Sequence, residues 1–176
     1  MTKSINVLIG MIASGKSSLS FQFAEKGSIT ICDDSIVQLL HGGNYSLYDN
    51  NLKNLYKSIE MHIACSALSL GRTLIVDRGV NVRKQSRVRW IGLAKSMDVP
   101  CYAYVLPLQP AVKHAERRFN HDSRGLSKEY WLRVAESHLS QYDTPTIKEG
   151  FDKVFRLKRT DDGKFIDEFG NEHPSS

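Results

Sequence analysis

A chain of 176 residues with 41% hydrophobic content is long enough to bury one well-packed core and too short for two domains of common size. Its first residues carry neither the basic nor the apolar stretch of a secretory signal, and no apolar run approaches the roughly 20 residues that span a bilayer, so the expectation is a soluble, cytoplasmic protein. The excess of 24 Lys and Arg over 19 Asp and Glu, a formal charge of +5, is too mild to define a partner, and three widely spaced cysteines, Cys32, Cys65 and Cys101, argue against a disulfide framework or a paired-cysteine zinc site.

Ile5, Val7, Leu8 and Ile9 read as a short buried strand. It leads into Gly10-Met11-Ile12-Ala13-Ser14-Gly15-Lys16-Ser17, which meets the phosphate-loop pattern G-x-x-x-x-G-K-[ST] at every fixed position. A helix from Lys16 carries Leu19, Phe23 and Ala24 on helical spacing and stops at Gly27. The glycines let backbone N–H groups curl around an anionic phosphate, and the helix start points its positive dipole end at the same place. Gly10, Ser14, Gly15, Lys16, Ser17 and Ser18 are therefore candidate nucleotide-binding residues. Lys16 reaches for the β- and γ-phosphates, and the Ser17 hydroxyl occupies the position that coordinates Mg²⁺ on a bound nucleotide.

Ser28 to Cys32 is a β-branched run ending in Asp33-Asp34, with a short helix through Ile36, Val37, Leu39 and Leu40 that stops at Gly42-Gly43. Asp33 reads either as a cap of that helix or, beside a bound γ-phosphate, as a general base that takes the proton of an attacking hydroxyl. From Asp49 to Leu70 the positions Leu52, Leu55, Ile59, Ile63, Ala67 and Leu70 keep a helical period, with Asp49 or Asn50 as cap. Thr73 to Asp77 is a third strand ending in a carboxylate, in the place where many phosphate-loop proteins hold Mg²⁺ or its waters. Between Arg78 and Lys95 six basic residues and no acidic one occur, several near the start of a helix over about 82–97. Arg78, Arg83 and Arg87, with Asp34, are candidate acceptor-binding residues, and a solvated basic face is the plainer alternative.

Pro100 to Leu106 is a fourth strand. Pro110 suits the first position of a helix to about Asn120, the loop 121–125 follows, and Ser127 caps a helix to about Gln141. Arg117, Arg118 and Arg124 flank that loop, as in a lid whose guanidinium groups meet nucleotide phosphates, Arg124 being the catalytic candidate. Lys153 to Lys158 is a last core strand. Asp161-Asp162-Gly163 between Phe155 to Thr160 and Lys164 to Ile166 predicts a hairpin, with residues past Phe169 loose. Alternating strands and helices predict an α/β three-layer sandwich: a mostly parallel sheet with helices on both faces and a helical lid, its ligand at the carboxyl ends of the strands.

The phosphate loop, Asp33 after the second strand, Val76-Asp77-Arg78-Gly79-Val80-Asn81 with a basic helix after it, Val99-Pro100-Cys101, the lid arginines and Pro145 to Asp152 together resemble the kinase domain of the 5′-hydroxyl polynucleotide kinases, members of the phosphate-loop NTPase superfamily. The resemblance covers about residues 4 to 158. It implies a kinase domain over 1–158, with 159–176 as a hairpin and tail of the same domain, and ATP-dependent phosphorylation of a hydroxyl with Mg²⁺ held by Ser17 and Asp77. In that reading Asp33 is the base, Lys16 assists, and the lid arginines sit on the nucleotide. The acceptor it implies is nucleic acid, foremost a 5′-hydroxyl end of DNA or RNA. Two departures touch the acceptor side: Ile36 stands where phage members have an arginine, and Arg78 is added after Asp77. A hydroxymethylated base, a small molecule, or a nucleotide-dependent binding module without transfer are the other readings.

Overall fold

Every residue of Ile5–Ile9 (β1) is buried, which requires a strand covered on both faces. The computed structural model, which describes residues 3–122 and 124–174, supplies that cover. Strands Ile29–Cys32 (β2), Leu74–Asp77 (β3), Cys101–Val105 (β4) and Lys153–Arg156 (β5) join β1 in a parallel sheet of order β2-β3-β1-β4-β5. The register sets Asp77 level with Leu8 on one side and Cys32 on the other. Residues 8–10, 32–34 and 77–79 thus leave the sheet side by side.

Among the described residues six α-helices connect and cover these strands: Lys16–Glu25 (α1), Asp33–Leu40 (α2), Lys53–Ser69 (α3), Lys84–Ser96 (α4), Ala111–Asn120 (α5) and Lys128–Ser140 (α6). On one face Ile36 and Val37 of α2, Ala64 and Leu68 of α3, and Trp90 of α4 pack on Ile5, Val7 and Val76. On the other, Leu19 and Phe23 of α1 pack on Leu8, Ile75 and Tyr104. Helices α5 and α6 form the expected lid around Met11, Ala115, Trp131 and Ala135. Ser123 of the connecting loop lies outside the described residues.

Two expectations change. Asp49 caps a 3₁₀ turn over Asn50–Leu52, its Oδ1 accepting from the Asn51 N–H at 2.8 Å, so that the long α-helix starts at Lys53. The inner stripe of α3 is also rotated: Tyr56, Glu60, Ala64 and Ala67 turn inward, while Leu55 and Leu70 are exposed. A carboxylate fits this stripe because Arg78 and Arg89 pair with it.

The segment past Phe169, expected to be loose, is built into the fold as far as Pro174; residues 175 and 176 lie outside the described residues. Lys158–Arg159 (β6), Phe165–Ile166 (β7) and Glu172–His173 (β8) make an antiparallel three-stranded sheet. Its organiser is Asp167, whose carboxylate accepts from the N–H groups of Phe169 and Asn171, from the Asn171 amide and from the His173 ring. The His173 ring packs in turn on Phe155 and Tyr104, and Phe165 joins Leu8 and Leu19 in the core.

Candidate active site

The loop between β1 and α1 takes the shape its glycines permit. Gly15 has φ 102°, a left-handed conformation that side chains disfavour, and a Cβ there would also meet Phe165 Cζ at 3.3 Å. At Gly10 the constraint is space: a Cβ would lie 2.5 Å from Ser14 Oγ. Lys16 is buried and folds over the loop, its Nζ donating to the carbonyls of Gly10 (2.8 Å) and Met11 (2.7 Å). Burial pushes Lys16 below its ordinary value, with the Asp77 charge opposing. Ser14 Oγ is buried with no hydrogen-bond partner among the described residues, an orphan that a phosphate oxygen would satisfy.

Ser17 Oγ donates to Asp77 Oδ2 at 3.0 Å. A hydroxyl beside a buried strand-end carboxylate is a hard oxygen donor pair of the kind that suits Mg²⁺, which keeps waters and substrate oxygens for its remaining positions. Burial raises Asp77 above the usual carboxylate range, against the pull of Lys16 and the Ser17 hydroxyl. Among the described residues no group of three or more His, Cys, Asp or Glu is arranged to hold a metal alone.

A cavity of about 710 Å³ opens over the loop, lined by Ala13 to Ser18, by Arg117 and Arg118 of the lid, and by Arg159, Thr160, Asp161 and Gly163 of the β6–β7 hairpin. The hairpin itself is legible in Asp161-Asp162-Gly163, but its wall on this cavity is not, since docking depends on residues some 150 positions away. Arg124 stands elsewhere. Its guanidinium pairs with Asp34 and stacks 4.0 Å from the Tyr45 ring, on the α2 side of the cleft and apart from the nucleotide cavity to which the sequence assigned it.

Asp33 is the first residue of α2, whose N-cap is Cys32. It pairs with Arg78, whose Nε also lies 3.3 Å from Glu60 Oε1, and Glu60 pairs with Arg89. Burial and a hydrogen bond shared with Asp33 push Glu60 up to about 7, against the pull of Arg78 and Arg89. Glu60 joins this cluster with no signal in the sequence to mark it, because its position falls in an apolar stripe. Arg87 is a correction to the expected acceptor residues. It is wholly buried, bound to Glu149 through two nitrogens and to the carbonyls of Asn81, Val82 and Asp143, and from there it meets no acceptor. Arg83 is exposed at the start of α4.

The model of the AAA domain family matches residues 5–140. No curated protein matches the chain. Solved structures of similar fold include shikimate kinase from Acinetobacter baumannii in complex with shikimate, at 14% identity and TM-score 0.59, covering 90% of this chain and 86% of that one. Kti12 from Chaetomium thermophilum in complex with ADP-AlF3 gives 18% identity and TM-score 0.57, covering 87% and 88%. A gluconokinase from Sinorhizobium meliloti 1021 gives 18% identity and TM-score 0.53, covering 89% and 82%. No helix among the described residues is long and apolar enough to cross a membrane.

Proposed function

Because the chain belongs to the AAA domain family, whose model spans residues 5–140, we propose that it is an ATP-dependent phosphotransferase acting on an alcohol group of a small molecule. The acceptor hydroxyl oxygen forms a bond to the γ-phosphorus. The bond from that phosphorus to the β–γ bridging oxygen breaks, ADP leaves with the electron pair, and the hydroxyl proton passes to the Asp33 carboxylate. Lys16 exchanges the Gly10 and Met11 carbonyls for phosphate oxygens, Ser14 and Ser18 add donors, and Arg117 and Arg118 face the phosphates from the lid. Mg²⁺ bound through Ser17 and Asp77 would supply charge neutralisation at the β- and γ-oxygens. Arg78 orients Asp33, and Arg124 ties the lid to Asp34.

One observation carries the choice of a small acceptor over a polyanion. Of the arginines on this side of the sheet, Arg78 pairs with Asp33 and Glu60, Arg89 with Glu60, Arg124 with Asp34, and Arg87 with Glu149. Nucleic-acid backbones are bound by unpaired Lys and Arg side chains facing phosphates, and around Asp33 the site's own carboxylates hold Arg78, Arg89 and Arg124. The fold shared with kinases solved with shikimate or named for gluconate lends support, as does the ADP-AlF3 complex for the nucleotide. The test is transfer of label from γ-labelled ATP to a panel of sugars, sugar acids, polyols and 5′-hydroxyl oligonucleotides. Label on small hydroxyl compounds is expected. Label on oligonucleotides alone returns the acceptor to nucleic acid, and ATP binding with no transfer to any acceptor defeats the enzyme reading.

A further inference from the structure

A second cleft, of about 310 Å³, opens between the 79–83 turn and α6, lined chiefly by Arg83, Tyr130, Arg133, Ser137, His138 and Gln141. Among the described residues no carboxylate lines it. Arg83 and Arg133 are both exposed, and neither is in an ion pair among the described residues, in contrast to Arg78, Arg87, Arg89 and Arg124. Of the acids near it, Asp143 Oδ2 accepts from the Lys84 N–H at 2.8 Å, and Glu129, one turn before Arg133 on α6, hydrogen-bonds at Ser127 and also feels the Arg133 charge. Arg83 also stands at the cap of α4, a thirteen-residue helix with no acidic residue in its first turn, so the dipole adds to the positive field there.

The cleft's walls are fixed. Arg87 Nη1 donates to the carbonyls of Asn81 (3.0 Å) and Val82 (3.1 Å) on one wall and of Asp143 (3.0 Å), just past α6, on the other. Asn81 Nδ2 ties the turn to the ends of β1 and β3 through the carbonyls of Leu8 (3.2 Å) and Val76 (3.1 Å). The cleft reaches the turn that follows β3. His138 packs on Gly79, where a Cβ would meet Cε1 at 3.4 Å, and burial followed by the charges of Lys16 and Arg83 holds its imidazole down at about 4. The ring is therefore neutral at pH 7, and the two arginines are the cleft's charges. Two guanidinium groups with hydroxyl and amide donors beside them match a ligand group of several oxygens.

We infer that this cleft is the anion subsite of the acceptor: it takes a carboxylate or phosphate monoester carried by the same small molecule whose hydroxyl receives the phosphoryl group. The acceptor class is then a small hydroxylated oxyanion, and a neutral polyol is a poor substrate. This rests on the phosphotransferase reading for the hydroxyl, whereas the anion site itself stands on the cleft.

Three probes that differ in charge and share a three-carbon hydroxylated frame test it: glycerol, glycerate and glycerol 3-phosphate. Each is titrated into the full chain with ADP present, following the Nε resonances of ¹⁵N-labelled arginine. At least one of the two anions should move Arg83 and Arg133 saturably, and which one does so separates carboxylate from phosphate; glycerol should not. Arg133→Ala should weaken that binding about ten- to a hundredfold, Arg133→Lys should restore part of it, and unchanged melting temperatures show that the fold survives. The inference is overturned if neither anion moves these signals, if glycerol moves them equally, or if affinity survives in Arg83→Ala/Arg133→Ala. Transfer from γ-labelled ATP to the same probes is read separately. Anion binding without transfer to any hydroxyl compound would sink the acceptor role and the kinase reading together, while anion binding lost with transfer intact would sink the subsite alone.

Discussion

Asp33 and Asp34 are adjacent in sequence and divided in contacts, one holding Arg78 and the other Arg124. Asn at position 33 keeps the size of the side chain and cannot take a proton, and Arg78 retains Glu60 as a partner. Asp33→Asn should therefore melt within a few degrees of wild type while turnover on the best acceptor falls by roughly two to four powers of ten, with ATP affinity near normal. Wild-type turnover in that variant would remove Asp33 from the chemistry, and Asp34→Asn would then be the experiment to run. His138 yields a prediction of another kind. Its imidazole titrates at about 4 in the fold against 6.5 ordinarily, so between those values the unfolded chain binds a proton that the folded chain refuses. The stability linked to it is complete above about pH 6.5 and drains away as pH falls toward 4. For a partly exposed ring this is about 1–2 kcal/mol. Urea midpoints of His138→Gln should fall less steeply than those of wild type over that window; parallel curves would show that His138 is not the group responsible.

Among elements, the β6–β7–β8 sheet acts on the nucleotide site through one ring. Phe165 is fully buried and lies against Gly15, so Phe165→Ala opens a cavity directly behind the phosphate loop. The expected loss is about 3–5 kcal/mol of stability, seen by chemical denaturation, together with weaker ATP binding. Stability lost with ATP affinity intact would mean that the sheet supports the core and not the loop. The same sheet marks where sequence reading ends. Strands β1 to β5 and the helices are legible because apolar residues repeat along them, and the phosphate loop because its spacing is a chemical requirement. Strands of two residues, such as Glu172–His173, have no period to read, and their order comes from Asp167 collecting donors. Glu60 and Arg87 escape for a related reason. A charge in an apolar stripe signals nothing until its partner is known, and Arg78 and Glu149 lie 18 and 62 positions away. Asp33 and Asp77 were legible as strand-end carboxylates, whereas the pairing of Arg124 with Asp34 required the lid's resting position.

For the whole molecule, nucleotide binding should register as stability. A ligand that binds only the folded chain, at a hundred times its Kd, adds about 2.7 kcal/mol, roughly 5–10 °C in Tm for a chain of this size. MgATP should produce a shift of that order. Lys16→Ala should keep the ligand-free Tm within a few degrees and lose most of the shift, since Lys16 contacts loop carbonyls and no apolar core; a full shift in the variant would show that the nucleotide binds elsewhere.

The ties between α1 and the end of the chain set an order of events. Gln22 reaches the Gly163 carbonyl across 141 positions and Lys26 the Pro174 carbonyl across 148, on the same side of the sheet as Phe165 behind Gly15. Contacts this distant in sequence carry a large loop-closure cost and close late in folding. A chain cut before residue 165 would carry the whole phosphate-loop motif and still lack the ring that backs Gly15, so the motif by itself is not the shaped loop.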